Sequence, residues 1–582
     1  MLVLVSAVVK SSKRYASATN DKLEGVAYTP KVLSDFVANK MIDSSSLPNE
    51  EIHVLDPAVG RGELLVSILS RLVTKTSARI LVYGFDTDGV VLAATQQRLA
   101  AAFPQVELHL QRKDFLEYVL GQSSIGRTPS LFDVPAEPIR FDLIIANPPY
   151  VRTQIMGADQ AQKLASAFGL SGRVDLYHAF LIGMAQVLRP GGTAGIIVSN
   201  RFMTTKGGSD LRAELRNRFA LRHVWDLGDT KLFDVAVLPA VLLAEGRNGH
   251  TLEKIAFTTI YETQDVATSR APDAIAALAS PGVVAIDDGR RFHVQHGTLN
   301  DSGPVNDLWR IATDAGDEWL RIVNANTWKR FSDVGKIRVG VKTCADKIFI
   351  RSDWSALPEV QRPELLRPLT THHISGRFRA IRSPKAREIL YPHEVVGGQR
   401  QPIDLSGYPI SRAYLESHRA ALEGRTYVLE AGRRWYEIWV PQDPAAWIAP
   451  KLVFRDISDK PTFWIDLDGS IVNGDCYWMV AEHQADNDLL WLAAAVSNST
   501  FIEAFYDHRF NNKLYGGRRR FITQYVEQFP LPDPSTPLAC KITEMAKAIY
   551  DRAGSREAAA LETELDPLVW KAFGLQPEKV AG

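Results

Sequence analysis

Between about residues 50 and 245, short β-rich apolar runs alternate with helical stretches. The runs are 51-EIHVLDP, 80-ILVYGFD, 106-VELHLQ, 141-FDLIIANPP, 194-AGIIVS, 221-LRHVWDL and 237-VLPAVLLAE. This alternation predicts an open α/β sheet with helices on both faces. The last two runs are separated only by 229-DTKLFDVA, too short for the crossover that parallel neighbours require. They are expected as an antiparallel hairpin at one edge of the sheet. After about residue 250 Pro and Gly punctuate shorter segments and Trp and Tyr become frequent, which predicts a second, α+β domain. The stretch 261-YETQDVATSRAPDAIAALASPG reads as a linker or a helical insertion, so the expected division is 1–260 and 261–582. Near the end 529-FPLPDPSTP is a breaker, and helical patterns follow at Leu538 to Arg552 and Ser555 to Phe573. There is no internal repeat.

Composition narrows the class. With 582 residues, 46% hydrophobic and 23% charged, the chain is globular, and two or three domains fit the length. Lys+Arg and Asp+Glu both total 67, so a polyanion would have to be held by a local basic surface rather than by the global field. Cys344, Cys476 and Cys540 stand far apart without a CxxC, which excludes a disulfide framework and a Cys-rich zinc site. The apolar start, Met1 to Val9, lacks a preceding positive charge and a small-residue cleavage site, and no run reaches the roughly 18 residues of a membrane span. A cytoplasmic protein is expected.

The chemistry-bearing residues follow strand ends. In 54-VLDPAVGRGELLVSIL, Asp56 closes a strand and Gly60 and Gly62 occupy the turn before a helix. Glycine there lets backbone approach a ligand, although turn geometry alone also calls for it. The next strand ends at 83-YGFDTD, putting Asp86 24 residues beyond Gly62, where a carboxylate can accept from both hydroxyls of a ribose. No Lys-Ser/Thr follows the glycines, so the expected ligand is a nucleoside without a phosphate chain. Asp114, in 112-RKDFLEY, could accept from an exocyclic amine while Phe115 packs on a purine; alone it reads more often as a helix N-cap.

The sharpest signal is 147-NPPY after the fourth strand. Two prolines fix φ and remove two donors, so the Pro148 carbonyl and the Asn147 side-chain oxygen can point together as acceptors for an NH2 group. Tyr150 supplies a flat face for a planar ring.

These motifs resemble an amino-group DNA methyltransferase of the adenine-N6 kind related to the TaqI methyltransferase, in the gamma order: 25-GVAYTP, 56-DPAVGRG, 85-FDTD, 114-DF, 147-NPPY, 175-DLY and 232-LFDVAVLPAV. The resemblance implies a Rossmann-like S-adenosylmethionine-dependent fold. It places Thr29, Asp56, Gly60 and Gly62 at the methionine end of the cofactor, Asp86 at its ribose, Asp114 and Phe115 at its adenine, and Pro148 along the pocket. It makes Asn147, Pro148 and Tyr150 catalytic, with Phe233 stacking on the other side of a flipped adenine. Arg61 departs from the small residue common between the glycines; pointing outward it would be harmless.

Adenine N6 is a poor nucleophile because its lone pair is delocalised. Hydrogen bonds to Asn147 and Pro148 would localise it toward the sulfonium methyl, and the base must leave the duplex to be reached. No metal is expected: His372 and His373 are adjacent, with side chains expected to diverge, and 466-DLDG reads as a hairpin turn lacking the Glu of a calcium loop. The segments 338-RVGVKTCADKIFI, 449-APKLVFRDISDKPTFWIDLDG and 497-SNSTFIEAFYDHRFNNKLYGGRRRF resemble a TaqI-type target recognition domain. In the last, Arg509, Lys513, Arg518, Arg519 and Arg520 are expected to contact double-stranded DNA. The expected function is site-specific modification within a restriction-modification system, with a separately encoded endonuclease as a possible partner. The alternatives are a protein glutamine methyltransferase of the NPPY type and a fused methylase-nuclease or defence-complex subunit. No Pro-Asp followed by Glu-x-Lys cluster supports the nuclease.

Overall fold

The computed structural model describes residues 29–577 except 123–138, 151–157, 171–174, 234–237, 250–253, 301–303, 305–306, 382, 384–385 and 511–517. The chain forms two compact units, divided between Thr313 and Asp314.

The first unit is built on one mixed sheet. Its elements run α1 (Lys31–Ser44), β1 (Glu51–Asp56), α2 (Glu63–Lys75), β2 (Arg79–Asp86), α3 (Gly89–Ala102), β3 (Glu107–Arg112), α4 (Phe115–Gln122) and β4 (Phe141–Ala146). There follow α5 (Ala158–Phe168), α6 (Leu176–Val187), β5 (Leu188–Ser199), α7 (Ser209–Arg218), β6 (Phe219–Asp226) and β7 (Pro239–Gly246). Strands β8 (Ala256–Glu262), β9 (Ser269–Ala271), β10 (Gly282–Ile286), β11 (Arg291–Leu299) and β12 (Ile311–Ala312) complete it. The order is β3-β2-β1-β4-β5-β7-β6-β8-β11-β10-β9, with β12 on β11. β1 to β5 are parallel, and β7 lies antiparallel between β5 and β6.

From Leu143 to Ala146 period-two alternation divides β4 between two apolar layers, and a register irregularity before Leu143 sets Phe141 with the even positions. Leu143 and Ile145 of β4 join the layer containing Leu33 and Val37 of α1 and Leu65 and Leu69 of α2. Phe141, Ile144 and Ala146 join the opposite layer with Phe115, Leu181 and Leu215. Every residue of β4 is buried, as befits a parallel strand covered on both faces. Helix α2 shows the matching helical rule: Leu64, Leu65, Ile68, Leu69 and Leu72 form one buried stripe, each worth roughly 1.5–3 kcal/mol of burial. Among charged residues, Asp142 pins this region: its Oδ2 accepts from the His53 amide at 2.7 Å and its Oδ1 meets Arg189.

Two expectations are corrected here. β6 and β7 do pair antiparallel, but not at an edge, because β6 also takes β8 as a parallel neighbour and the sheet continues through β11, β10 and β9. For the same reason the first unit ends near residue 313 rather than 260. The stretch expected as a linker or a helical insertion contributes β9 and one helical turn, Ala274–Ala277, capped by Asp273. The amide and carbonyl groups of β6 need partners on both sides, and β8 supplies them.

The second unit has a five-stranded sheet of β13 (Ile337–Val339), β14 (Phe378–Arg379), β17 (Lys451–Arg455), β18 (Phe463–Asp466) and β19 (Cys476–Met479), in the order β13-β19-β17-β18-β14. A separate two-stranded ribbon joins β15 (His393–Val396) and β16 (Gln399–Pro402). Trp354, Trp447, Trp464 and Trp478 fill the core beside Ile389 and Val453. Helices α8 (Thr500–Phe510), α9 (Pro537–Asp551) and α10 (Arg556–Ala572) follow. The last two lie within a residue or two of the expected ranges. The 466-DLDG turn exists, with the Asp468 amide on Asp466 Oδ1 at 2.8 Å, but its flanking strands enter different sheets instead of pairing as a hairpin.

Candidate active site at the carboxyl ends of β1, β2 and β4

β1 pairs β2 on one side and β4 on the other, so chain order reverses between β1 and β4. The crevice beyond such a reversal is where open α/β sheets place ligands. The glycine turn after β1 and the Asn147 turn after β4 therefore share one end of neighbouring strands.

The glycine turn is held by specific bonds. Val59 donates its amide to the Phe85 carbonyl at 3.0 Å, and Gly60 donates to Asp86 Oδ2 at 2.8 Å. Gly60 (φ +50°) and Gly62 (φ +76°) both take left-handed backbone. A Cβ on Gly62 would lie 2.5 Å from Thr95 Cγ2, whereas one on Gly60 would meet nothing within 4 Å. Gly62 is thus required by packing against α3, and Gly60 leaves open space over the turn. Thr95, which sequence reasoning missed because it sits mid-helix, ties α3 to the turn through Oγ1 on the Gly60 carbonyl at 2.8 Å. Arg61 is exposed.

The acidic residues differ in state. Asp86 accepts from the Gly60 and Asp88 amides, both at 2.8 Å, one on each oxygen; each oxygen keeps a further lone pair for a ligand hydroxyl. Asp56 is buried. Its Oδ1 accepts from the Ala58 amide at 3.0 Å, while among the described residues no donor reaches Oδ2. Burial, with the nearby Asp86 charge, pushes its carboxyl up to about 7. Asp114 is raised by burial and accepts from the Leu116 amide at 2.8 Å, so it does serve as a helix cap. Phe115 is 1% exposed, with ring centroids 5.9 Å from Phe85 and 5.6 Å from Phe180. It fills the layer under the strand ends instead of presenting an open face.

Asn147 sits between two hydroxyls. Its Nδ2 donates to Thr29 Oγ1 at 3.0 Å, and Tyr150 Oη donates to its Oδ1 at 2.8 Å. Residues 118 positions apart are joined by the first of these bonds. The Tyr150 ring meets Tyr177 edge-on, centroids 6.0 Å apart, and burial pushes the phenol well up. Tyr177 carries no sequence signal of its own, though it lies in the quoted 175-DLY. Phe233 is 8% exposed in the apolar layer shared with α1 and α2, so the expected stacking face is covered.

The basic run of the second unit differs from expectation. Arg519 forms a fork on Asp507, 2.9 and 2.8 Å, and a third bond to Glu503 at 3.0 Å, with 11% of its side chain exposed. Arg520 forks on Asp456 at 2.9 and 3.2 Å. These guanidiniums, expected on DNA, hold α8 and the pair of short strands Ile457–Ser458 and Arg519–Arg520. Arg509 reaches Gln528 Oε1 at 3.1 Å; Arg518 is exposed, and Lys513 lies outside the described residues. The His372 and His373 rings do not diverge but sit 3.9 Å apart, with His372 Nδ1 on Asp475. No group of three His, Cys, Asp or Glu able to hold a metal occurs among the described residues, and no described helix is long and apolar enough to cross a membrane.

Against known proteins, the chain is 36% identical over 572 residues to the Type II methyltransferase M.BanIII of Aneurinibacillus aneurinilyticus, covering 95% of this chain and 98% of that one. The chain belongs to the Type II methyltransferases. Another relative, Type II methyltransferase M.PaeR7I of Pseudomonas aeruginosa, is 26% identical, with 91% and 90% covered. Residues 82–233 of this Type II methyltransferase match the Eco57I restriction-modification methylase family, and 404–531 match the TaqI-like C-terminal specificity domain. The fold is shared with the Type IIL restriction-modification enzyme MmeI, solved in complex with DNA: TM-score 0.56 at 13% identity, covering 95% of this chain and 73% of that one.

Proposed function

We propose that this Type II methyltransferase transfers the methyl group of S-adenosylmethionine to N6 of an adenine flipped out of double-stranded DNA, as the modification enzyme of a restriction-modification system. The observation that carries the reading is the Asn147 amide, whose nitrogen is committed to Thr29 and whose oxygen accepts from Tyr150. With Nδ2 donating to Thr29, Oδ1 is turned as an acceptor and would accept a hydrogen bond from N6–H of the base. The Pro148 carbonyl takes the other. Both bonds draw electron density onto N6 as its lone pair localises, and they cost no reorganisation at the moment of transfer. Tyr150 gives the base a stacking face; Phe233 stacks on the other side only by leaving the apolar layer.

The residues fit the cofactor. The unpartnered Asp56 Oδ2 suits an ammonium group, and the open space over Gly60 admits a ligand against the backbone. Thr29, Asp56, Gly60 and Gly62 would hold its methionine end, Asp86 its ribose and Asp114 its adenine amine, with Pro148 along the pocket; Phe115, buried against Phe85 and Phe180, would support that end from beneath rather than stack on the ring. When bound, S-adenosylmethionine supplies an electrophilic methyl on sulfur. The extent of the match to Type II methyltransferases favours DNA over a protein glutamine substrate. Long-read sequencing of DNA from a methylation-free host expressing the chain tests the proposal. N6-methyladenine at one short sequence is expected; N4-methylcytosine, or unmodified DNA, refutes it.

A further inference from the structure

Among the described residues the ribbon β15-β16 joins neither the five-stranded sheet nor the four-stranded one formed by Ile350–Arg351, Arg387–Leu390, Leu366–Thr370 and Ile471–Val472, and its two strands pair with each other. Its turn is Gly397–Gly398, φ +58° and +77°, the two-residue turn whose twist matches a right-handed ribbon. At the base His393 is buried, accepting from the Ile438 amide through Nε2 at 3.0 Å. Beyond it everything from Val395 to Gln401 is exposed, Val396 to 52%. Registers place Glu394 opposite Gln401 and Val396 opposite Gln399 on one face, with Val395 opposite Arg400 on the other.

Cations cluster on the flank of this ribbon. Arg400 donates to the Gln442 carbonyl at 3.3 Å, and Gln442 Nε2 donates to the Val339 carbonyl at 2.7 Å. Lys342 lies beside Val440 in a two-way backbone bridge of 3.0 Å bonds. The Arg433 guanidinium lies over the Trp439 ring, 4.8 Å from its centroid, and donates to the Ile438 and Trp439 carbonyls. Among the described residues no carboxylate pairs with Lys342, Arg400 or Arg433, in contrast to Arg519 and Arg520. Burial, then the charges of Arg400 and Arg433, hold the His393 imidazole down at about 3. Carboxylates in the vicinity are Glu394 on the ribbon, Asp443, which caps Ala445, and Glu437, which accepts from the Arg434 amide.

We propose that β15-β16 enters a groove of duplex DNA, with Gln399 and Gln401 reading base edges and Lys342, Arg400 and Arg433 contacting phosphates. The assignment rests on the DNA reading above and adds the reading element, which lies ahead of the matched specificity-domain span, residues 404–531. A two-stranded ribbon fits the major groove, glutamine pairs with adenine through two hydrogen bonds, and exposed valine suits a thymine methyl. Uncompensated cations on the flank supply the phosphate contacts that fix register.

The test uses the full chain and fluorescent duplexes carrying the mapped methylation sequence or single-base changes in it. Gln399→Ala with Gln401→Ala is expected to lower discrimination at one or two base pairs by about 5- to 150-fold each, leaving binding to unrelated duplex and affinity for S-adenosylmethionine unchanged. Lys342→Ala, Arg400→Ala and Arg433→Ala together are expected to weaken binding to all sequences and to flatten the plot of log K against log salt by ~0.9 for each phosphate no longer neutralised. Gln399→Asn with Gln401→Asn, which keeps the amides on shorter arms, guards against a folding defect and is expected to lose discrimination with an unchanged melting temperature. Wild-type discrimination and salt slope in all three variants, with normal methylation, overturn the ribbon and leave the enzymatic reading standing. Failure of the wild-type chain to methylate any DNA overturns both.

Discussion

Asp56 gives the sharpest prediction. Its carboxyl is carried from the ordinary 3.8 to about 7 by burial first, with the Asp86 charge adding to it. At 1.36 kcal/mol for each tenfold change, ionising it in the folded protein costs on the order of 4 kcal/mol more than in the unfolded chain. Because the folded value lies above the unfolded one, this contribution to stability is fully present below about pH 4 and is lost as pH rises through about 7. Asp56→Asn keeps an oxygen for the Ala58 amide and cannot ionise. Without cofactor, the variant is expected to match wild type near pH 4 and to exceed it by up to about 4 kcal/mol at pH 8.5. Urea unfolding of the two proteins at matched pH, read as the difference between them, cancels the other titrating groups. In calorimetry the wild-type affinity for S-adenosylmethionine should rise with pH toward 7 as the carboxylate becomes available to the ammonium, while the variant binds weakly at every pH. Parallel stability curves from pH 4 to 8.5 would refute the assignment of a costly buried carboxylate, whatever the ligand.

Asn147→Ala is expected to abolish methyl transfer while calorimetric cofactor affinity survives; turnover near wild type would remove the acceptor role. Gly62→Ala should destabilise by about 1–3 kcal/mol, since its Cβ meets Thr95 Cγ2 at 2.5 Å in left-handed backbone. Thr95→Ser, which removes that methyl and keeps the hydroxyl on Gly60, should restore part of the loss in denaturant titrations. Arg519→Ala should cost roughly 1–3 kcal/mol by removing the guanidinium that forks on Asp507 and reaches Glu503, with no change in the salt slope of DNA binding; a flattened slope would return Arg519 to the interface.

The strand-end residues are legible because each pairs a local signal with a topological one. Asn-Pro-Pro-Tyr after an apolar strand, and Asp86 at the end of the strand after the glycines, need only the parallel order to fall at one end of the sheet. Phe115 reads in sequence as an open face, but its neighbour Asp114 caps a helix, which turns the ring inward onto Phe85 and Phe180. Thr95 is silent because a helical position carries no mark of what it faces. Arg519 and Arg520 show the limit of composition: a run of three arginines looks like a phosphate surface until Glu503 and Asp507 of the preceding helix, and Asp456, 64 residues from Arg520, are brought to it. The ribbon at 393–402 gives little signal because its Gly-Gly turn is flanked by short, mixed runs with little alternation.

The parallel bond row between β6 and β8 also has a practical meaning for building hybrids of this enzyme. A fragment ending at residue 260 would cut through β8 and strip β11, β10 and β9 from the sheet, exposing unpaired amides and carbonyls beside an apolar layer, a ready template for intermolecular strand addition. A chimera that exchanges one specificity half for another should therefore be spliced at the junction of Thr313 and Asp314, where no strand is severed. Soluble expression of fragments ending at 313, against insoluble ones ending at 260, would make that junction the natural seam for recombining target preferences.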